Sequence, residues 1–165
     1  MKKIFLGLGS NVGDRRATLD SGICALEAPD LHVLRISPVY ETEPQGLREQ
    51  EWFLNLVVEA ETTLFPRQLL QRIRRVERSF GRKRGVPNGP RTLDIDILFF
   101  ARSTIHTLDL QVPHPRYAER RFVLAPLADL APDWRDPLTG KSMRFLLDDL
   151  QGQKVRLVEP ASLPH

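Results

Sequence analysis

The chain has 165 residues, of which 41% are hydrophobic and 27% charged, and its net charge is +3. These values predict a single globular domain over residues 1–165, and no apolar run approaches the roughly 20 residues that a bilayer-spanning helix needs. Cys24 is the only cysteine, which excludes an intrachain disulfide, so we expect a cytoplasmic protein without membrane contacts.

Apolar periodicity predicts four strands and two helices up to residue 100. In chain order they are a strand over 3–8, a helix over about 14–28, strands over 31–40 and 53–64, a helix over about 66–80 and a strand over 92–100. Asp14 can cap the first helix, and Pro66 suits the first turn of the second. Two polar loops, 41–51 and 82–90, separate these elements.

The order β-α-β-β-α-β predicts an α+β fold with a ferredoxin-like core. Its sheet is mostly antiparallel, with the two helices on one face. Beyond residue 100 we expect C-terminal additions. They comprise a loop with the sequence VPHP (112–115), a stretch around 122–127, a short helix near 143–150 and a last strand over 154–159.

Positive charge is concentrated in the middle of the chain. Residues 67–91 contain nine basic side chains and one acid, Glu77, so this segment carries +8 and leaves −5 for the remainder. Because a guanidinium group binds phosphate oxygens in pairs, the segment predicts a polyanionic partner. Charge alone leaves open whether that partner is a nucleotide or a nucleic acid.

Two aspartates interrupt the apolar strand over residues 92–100. Side chains alternate between the faces of a strand, so Asp94 and Asp96 point one way while Ile95 and Ile97 point the other. Two neighbouring carboxylates repel each other unless a cation lies between them. Magnesium suits this position because it binds carboxylate oxygens and keeps waters and substrate phosphates as its other ligands.

The alternative is a half-exposed strand with a polar outer face. Aspartate is depleted in strands, so two of them in an apolar run favour a functional explanation. Arg91 also follows a basic loop and comes just before the acids. Carboxylates for metal beside arginines for phosphate are typical of nucleotide phosphoryl- or pyrophosphoryl-transfer sites.

The sequence GPRTLDIDIL (89–98) resembles the signature of the hydroxymethyldihydropterin pyrophosphokinases. Further segments resemble that family in order and spacing, so that the resemblance extends over nearly the whole chain. They are LGLGSNVGD (6–14), SPVYETEP (37–44), FLN (53–55), RVERSFGRKR (75–84), VPHPR (112–116) and RRFVLAPL (120–127).

The resemblance implies that a pyrophosphoryl group passes from ATP to 6-hydroxymethyl-7,8-dihydropterin, giving AMP and the pterin diphosphate for folate biosynthesis. By the same resemblance, Asp94 and Asp96 hold two magnesium ions that bridge the triphosphate, and one of these aspartates lies near the substrate hydroxyl. Arg82 and Arg91 neutralise charge as the β-phosphorus is attacked. The expected partners are these small molecules alone, with no nucleic acid, and the expected oligomeric state is a monomer.

The resemblance also assigns the binding residues. For ATP these are His114, Arg120 and Glu77, together with Arg82 and Arg91.

For the pterin, Asn55 reads the hydrogen-bonding edge of the ring, helped by backbone groups around Thr42 to Gly46. Phe53 and Phe122 enclose the ring between them. A pterin offers two π-faces and an edge of donors and acceptors, which aromatic rings and a buried amide can match.

The chain departs from the family pattern at two positions and in one loop. Phe53 stands where members often carry tyrosine, and Asn88 stands where some carry tryptophan or another aromatic residue. The loop over 82–90 is also slightly shorter than in some relatives. These differences concern closure over the pterin and affinity for it rather than the chemistry.

Three other functions compete with this interpretation. A ferredoxin-like sheet can bind RNA, but the predicted strand over 92–100 carries acids where RNA-binding sheets carry aromatic residues. A different metal-dependent phosphotransferase or nuclease could use the same acids. A regulatory domain could bind a nucleotide without chemistry. Pterin binding separates the pyrophosphokinase from all three.

Overall fold

The structure, a computed structural model, describes residues 1–43, 52–81 and 92–159. The predicted site residues Gly46, Arg82 and Arg91 lie outside the described residues, as do Asn88 and most of the two predicted loops. In chain order the described elements are β1 (Lys2–Ser10), α1 (Arg15–Leu26), β2 (Leu31–Ile36), β3 (Val39–Thr42), β4 (Phe53–Thr62), α2 (Pro66–Ser79), β5 (Asp94–Phe100), β6 (Ile105–His106), β7 (Gln111–Val112), a 3-10 turn (Tyr117–Glu119), α3 (Arg121–Leu130), α4 (Met143–Asp149) and β8 (Val155–Glu159).

Six strands form one sheet. Five of them follow the order β5-β1-β4-β3-β8. The sixth, β2, pairs with residues 58–62 of β4, on the same side of β4 as β3, which pairs with residues 53–55. All of the sheet's pairings among the described residues are antiparallel. With α1 and α2 as the connections, this order confirms the predicted α+β, ferredoxin-like core. A separate hairpin joins β6 to β7.

The predicted strand over 31–40 is wrong in one respect, because the structure divides it into β2 and β3. Ser37 and Pro38 separate the two. The Ser37 hydroxyl accepts the Val57 N–H at 2.8 Å, in place of a backbone acceptor of a continuous strand. Proline has no N–H to donate to a ladder, so the pairing is interrupted here. As a result, β2 and β3 pair with separate parts of β4, and β3 ends at Thr42.

The helices α1 and α2 cover one face of the sheet, as predicted. Asp14 caps α1 by accepting the Ala17 N–H at 3.1 Å, and Pro66 is the first residue of α2. The inward positions of both helices are buried against strand residues that include Leu6, Leu56 and Ile95. These helix residues are Leu19, Ile23, Leu26, Leu69, Ile73 and Val76.

The C-terminal additions cover part of the opposite face. Helix α3, for which the sequence predicted no element type, packs with α4 over Phe5, Val57 and Leu98. A bulge between Phe5 and Leu6 places consecutive residues of β5, Leu98 and Phe99, in this same core. The two C-terminal helices thus cover one end of this face and leave the end nearer Gly9 open for a cavity.

Candidate active site

Two glycines of β1 form the floor of a cavity on the open part of the sheet. Gly9 lies opposite Asp94 of β5 on one side and opposite Asn55 of β4 on the other. Gly7 lies in the same way between Asp96 and Val57. Because glycine has no Cβ, the backbone itself is the surface here. The result is a cavity of about 190 Å³ that has carboxylates on one side and an amide on the other.

The two aspartates of β5 point into this cavity, as the alternation predicted. Asp94 and Asp96 are half-buried and line it, while Ile95 and Ile97 are only 5% exposed in the core on the other face. Both acids therefore face the cavity rather than the core. Two neighbouring carboxylates repel each other, and positive charge nearby offsets that repulsion.

His114 faces the second of these acids. Its Nε2 lies 3.9 Å from Asp96 Oδ2, and its Nδ1 accepts the Arg116 N–H at 3.1 Å. Burial lowers the pKa of His114 to about 4, helped by the positive charges of Arg120 and Arg116 and opposed by Asp94. The imidazole is therefore neutral at pH 7. Because Nδ1 is an acceptor, the proton sits on Nε2, and the ring presents a donor toward Asp96.

Arg120 brings a cation to the same cavity just before α3 begins. Its guanidinium carbon lies 5.7 Å from the centre of the Phe122 ring. Burial lowers the pKa of Arg120, as does Arg116, whereas Asp96 and Asp94 raise it. A guanidinium stays charged in spite of such shifts. Its Nε is buried and has no hydrogen-bond partner within the part of the chain that the structure describes, which suits a bound oxyanion.

Four of the residues predicted for the pterin line the other side of the cavity. They are Thr42, Phe53, Asn55 and Phe122. Asn55 is 7% exposed, and its Nδ2 finds no acceptor among residues 1–43, 52–81 and 92–159. A buried amide with an unmatched donor beside a cavity is suited to a ligand with its own donors and acceptors.

A second cavity of about 330 Å³ adjoins the first at the edge of the sheet. Asp96 lines both cavities, and His114 lines the second. The hairpin of β6 and β7 supplies the outer wall through Thr107 and Gln111. The sequence prediction includes His114 but not these wall residues, because the hairpin is short and carries no motif.

Glu77 lies away from the first cavity. Its carboxylate is 7% exposed and accepts the Ile95 N–H at 2.9 Å, so it joins α2 to the start of β5 from the opposite face. This contact positions the strand that carries Asp94 and Asp96. The role in nucleotide binding that the resemblance implied for Glu77 stays a prediction.

The family model described as 7,8-dihydro-6-hydroxymethylpterin-pyrophosphokinase (HPPK) matches residues 5–132. The chain belongs to this family. Two bacterial relatives are each called 2-amino-4-hydroxy-6-hydroxymethyldihydropteridine pyrophosphokinase. The chain is 46% identical to the Bacillus subtilis protein over 127 residues, which are 76% of both chains. It is 42% identical to the Aquifex aeolicus protein over 144 residues, which are 87% of this chain and 89% of that one.

Solved structures support the family's fold. The chain resembles HPPK-DHPS in complex with substrates with a TM-score of 0.73 at 18% identity, over 89% of its own length. It spans 43% of that solved chain. At this identity the likeness bears on the fold alone, and it agrees with the sheet order described above.

In the described ranges no helix is long and apolar enough to span a membrane. No group of three or more His, Cys, Asp or Glu side chains is placed there to hold a metal ion.

The two glycines of the cavity floor differ in the space around them. A Cβ on Gly9 would lie 2.9 Å from Asn55 Oδ1, so Gly9→Ala is expected to displace this amide. A Cβ on Gly7 would meet Leu98 at an ordinary 3.6 Å. We expect Gly9→Ala to raise the pterin KM about tenfold or more, since small misplacements of binding groups are costly. Gly7→Ala, measured beside it, should fold and affect pterin binding less. An equal effect of the two would contradict this view of Asn55.

Proposed function

We propose that this chain transfers a pyrophosphoryl group from ATP to the hydroxymethyl group of 6-hydroxymethyl-7,8-dihydropterin in folate biosynthesis. The products are AMP and the pterin diphosphate. One observation carries the proposal: a single cavity joins a buried amide and two aromatic rings to a pair of carboxylates. Membership of the HPPK family and the names of its bacterial members support it.

The pterin would occupy the side of the cavity next to β4. Asn55 offers both a donor and an acceptor to the polar edge of the ring. Phe53 and Phe122, which line the same cavity, offer faces for stacking. Such a site rejects rings without matching groups because Asn55 would then stay buried and unpaired. The contribution of Gly46 stays a prediction.

The nucleotide would occupy the second cavity and extend its phosphates toward the first. Asp96 is common to both cavities, and His114 and Arg120 lie close to it. In this arrangement the donor phosphates and the acceptor hydroxyl would lie on either side of the acids. Arg82 and Arg91 would add further positive charge, by resemblance to the family.

Asp94 and Asp96 fit magnesium by their chemistry. They are hard oxygen donors, they are half-buried, and they share one face of a strand. Magnesium needs only one or two carboxylates when phosphates and waters complete its ligands. We expect two ions, whose charge would offset that of the triphosphate during transfer.

The remaining steps depend on the protein's own groups. The cavity holds the hydroxymethyl oxygen in line with the β-phosphorus, so that one P–O bond forms while the bond to AMP breaks. Arg120 stabilises negative charge that develops on the phosphoryl oxygens. Neutral His114 can donate from Nε2 to a phosphate oxygen without adding a charge. The hydroxyl proton passes to water as the new bond forms, and a strong general base is unnecessary because transition states of this kind tend to be loose.

We also propose a single domain over residues 1–165, a monomeric state and a cytoplasmic location. Each extends the expectation from length, cysteine content and lack of a long apolar run. Gel filtration with light scattering would test the monomer, since a mass near twice 18.9 kDa would contradict it.

Product analysis tests the function directly. The protein is mixed with ATP, magnesium and 6-hydroxymethyl-7,8-dihydropterin, and nucleotides and pterins are separated over time. AMP should appear in step with pterin diphosphate, and only when pterin and metal are both present. ADP in place of AMP would indicate an ordinary kinase. No nucleotide turnover by folded protein would exclude the proposed enzyme and favour nucleic-acid binding.

A further inference from the structure

The C-terminal segment over residues 150–159 lies beyond the residues matched by the family model, yet it reaches both walls of the pterin side of the cavity. At one end it contacts the start of α3, next to Phe122. At the other end, as β8, it pairs with β3 next to Thr42. Phe122 and Thr42 both line the cavity.

The contact with α3 is made through Arg121, which lies between Arg120 and Phe122. The Arg121 side chain donates to the carbonyl oxygens of Leu150 at 2.7 Å and Gly152 at 3.1 Å. Its backbone N–H donates to Gln153 Oε1 at 2.9 Å. Three hydrogen bonds thus tie the start of the segment to the residue between two cavity-lining side chains.

The contact with β3 centres on Glu41, which precedes Thr42. In the strand register Glu41 lies opposite Arg156, and Thr42 lies opposite Val155. Glu41 is 8% exposed and accepts hydrogen bonds from Arg156 and, at 2.9 Å, from Arg15 of α1. The carboxylate therefore joins β3 to the first turn of α1 and to the C-terminal strand.

The same group of charges reaches the start of β4. Arg15 also donates to the Trp52 carbonyl oxygen at 2.7 Å, and the Arg156 guanidinium lies 5.5 Å from the centre of the Trp52 ring. Trp52 precedes Phe53, which lines the cavity. Contacts of Arg156 and Arg15 thus converge on the residues just before Thr42 and just before Phe53.

Burial raises the pKa of the Glu41 carboxyl, but the hydrogen bonds from Arg15 and Arg156 outweigh it and lower the pKa below its usual value. Glu41 is therefore ionised at neutral pH and needs its cations. Loss of one arginine would leave the negative charge of this largely buried carboxylate only partly neutralised. The residues around Glu41 would then have to move, or water would have to enter beside it.

We propose that residues 150–159 form a strap that fixes the distance between the Phe122 wall and the Thr42–Phe53 wall, with Arg156 as a positioning residue for the pterin. The inference rests on the proposed function, because it assigns the pterin to this cavity. A simpler role for β8 is to cover the edge of β3. Edge covering predicts a loss of stability alone, whereas the strap predicts a selective loss of pterin binding.

The test compares Arg156→Ala with Arg144→Ala. Arg144 is an exposed arginine of α4 that pairs with Asp133 at 3.1 Å and does not line the cavity. Arg156→Ala should raise both the pterin KM and the pterin Kd about three- to tenfold, with kcat and the ATP KM unchanged. Arg156→Lys should recover part of this loss. Arg144→Ala should leave all four quantities as they are.

A variant at the opposite end of the strap keeps the test decisive if Arg156→Ala folds poorly. Gln153→Ala removes the bond to the Arg121 N–H and should also raise the pterin KM selectively. Unchanged pterin Kd in folded Arg156→Ala and Gln153→Ala, or an equal rise in the ATP KM, would overturn the strap. If the unaltered chain bound no pterin, the proposed function would fail first and the strap with it.

Discussion

Replacing Asp96 by alanine is expected to lower kcat/KM at least about a thousandfold, because this carboxylate lies where the two cavities meet. The fold should survive, since Asp96 is half-buried and its strand neighbours Ile95 and Ile97 supply the core contacts. AMP formation measures the first effect, and thermal unfolding followed by circular dichroism measures the second.

Two further variants make the Asp96 result specific. Asp148→Ala removes an exposed aspartate of α4 and should leave activity unchanged. Asp96→Asn keeps the size of the side chain and removes its charge, so it should be nearly as inactive as Asp96→Ala. Near-normal activity of Asp96→Asn would contradict the assignment of this residue to magnesium.

Replacing Asn55 by alanine is expected to raise the pterin KM and Kd about a hundredfold, while the ATP KM stays the same. A site built to hydrogen-bond its substrate loses this much when the matching group is removed, because polar groups of the substrate are then buried unpaired. Stability should fall little, since Asn55 Nδ2 has no acceptor in the described part of the chain. Pterin binding by calorimetry or fluorescence gives the Kd.

Asn55→Asp keeps the shape of the side chain, exchanges the donor for an acceptor and adds a negative charge. If the pterin needs the Nδ2 donor, this variant should bind as weakly as Asn55→Ala. Equal weakening of ATP and pterin binding would instead place Asn55 outside the pterin side of the cavity.

The part of the site that sequence predicts well depends on local periodicity. Asp94 and Asp96 share a face because strand side chains alternate, and the structure places both in the cavity. The first core helix follows from its cap at Asp14 and the second from Pro66. In each case the feature depends on residues that lie within a few positions of each other along the chain.

Other parts depend on contacts between distant residues. The break between β2 and β3 arises because the Ser37 hydroxyl bonds to Val57, which apolar content alone does not reveal. Helix α3 contains Pro126 and is almost entirely buried, so it lacks the usual amphipathic pattern. The ion pair of Glu41 with Arg156 joins residues 115 positions apart, and no local pattern encodes it.

Two parts of α3 are constrained in different ways, one by substrate binding and the other by folding. Its first residues, around Phe122, face the cavity, whereas Leu124, Leu127 and Leu130 pack in the core. Phe122 lines the cavity and is only partly buried, so its substitution is expected to change substrate preference more than stability. Substitution of the core leucines would mainly lower the stability of the fold, so a search for altered pterin preference should vary Phe122 and leave these leucines and Arg121 unchanged.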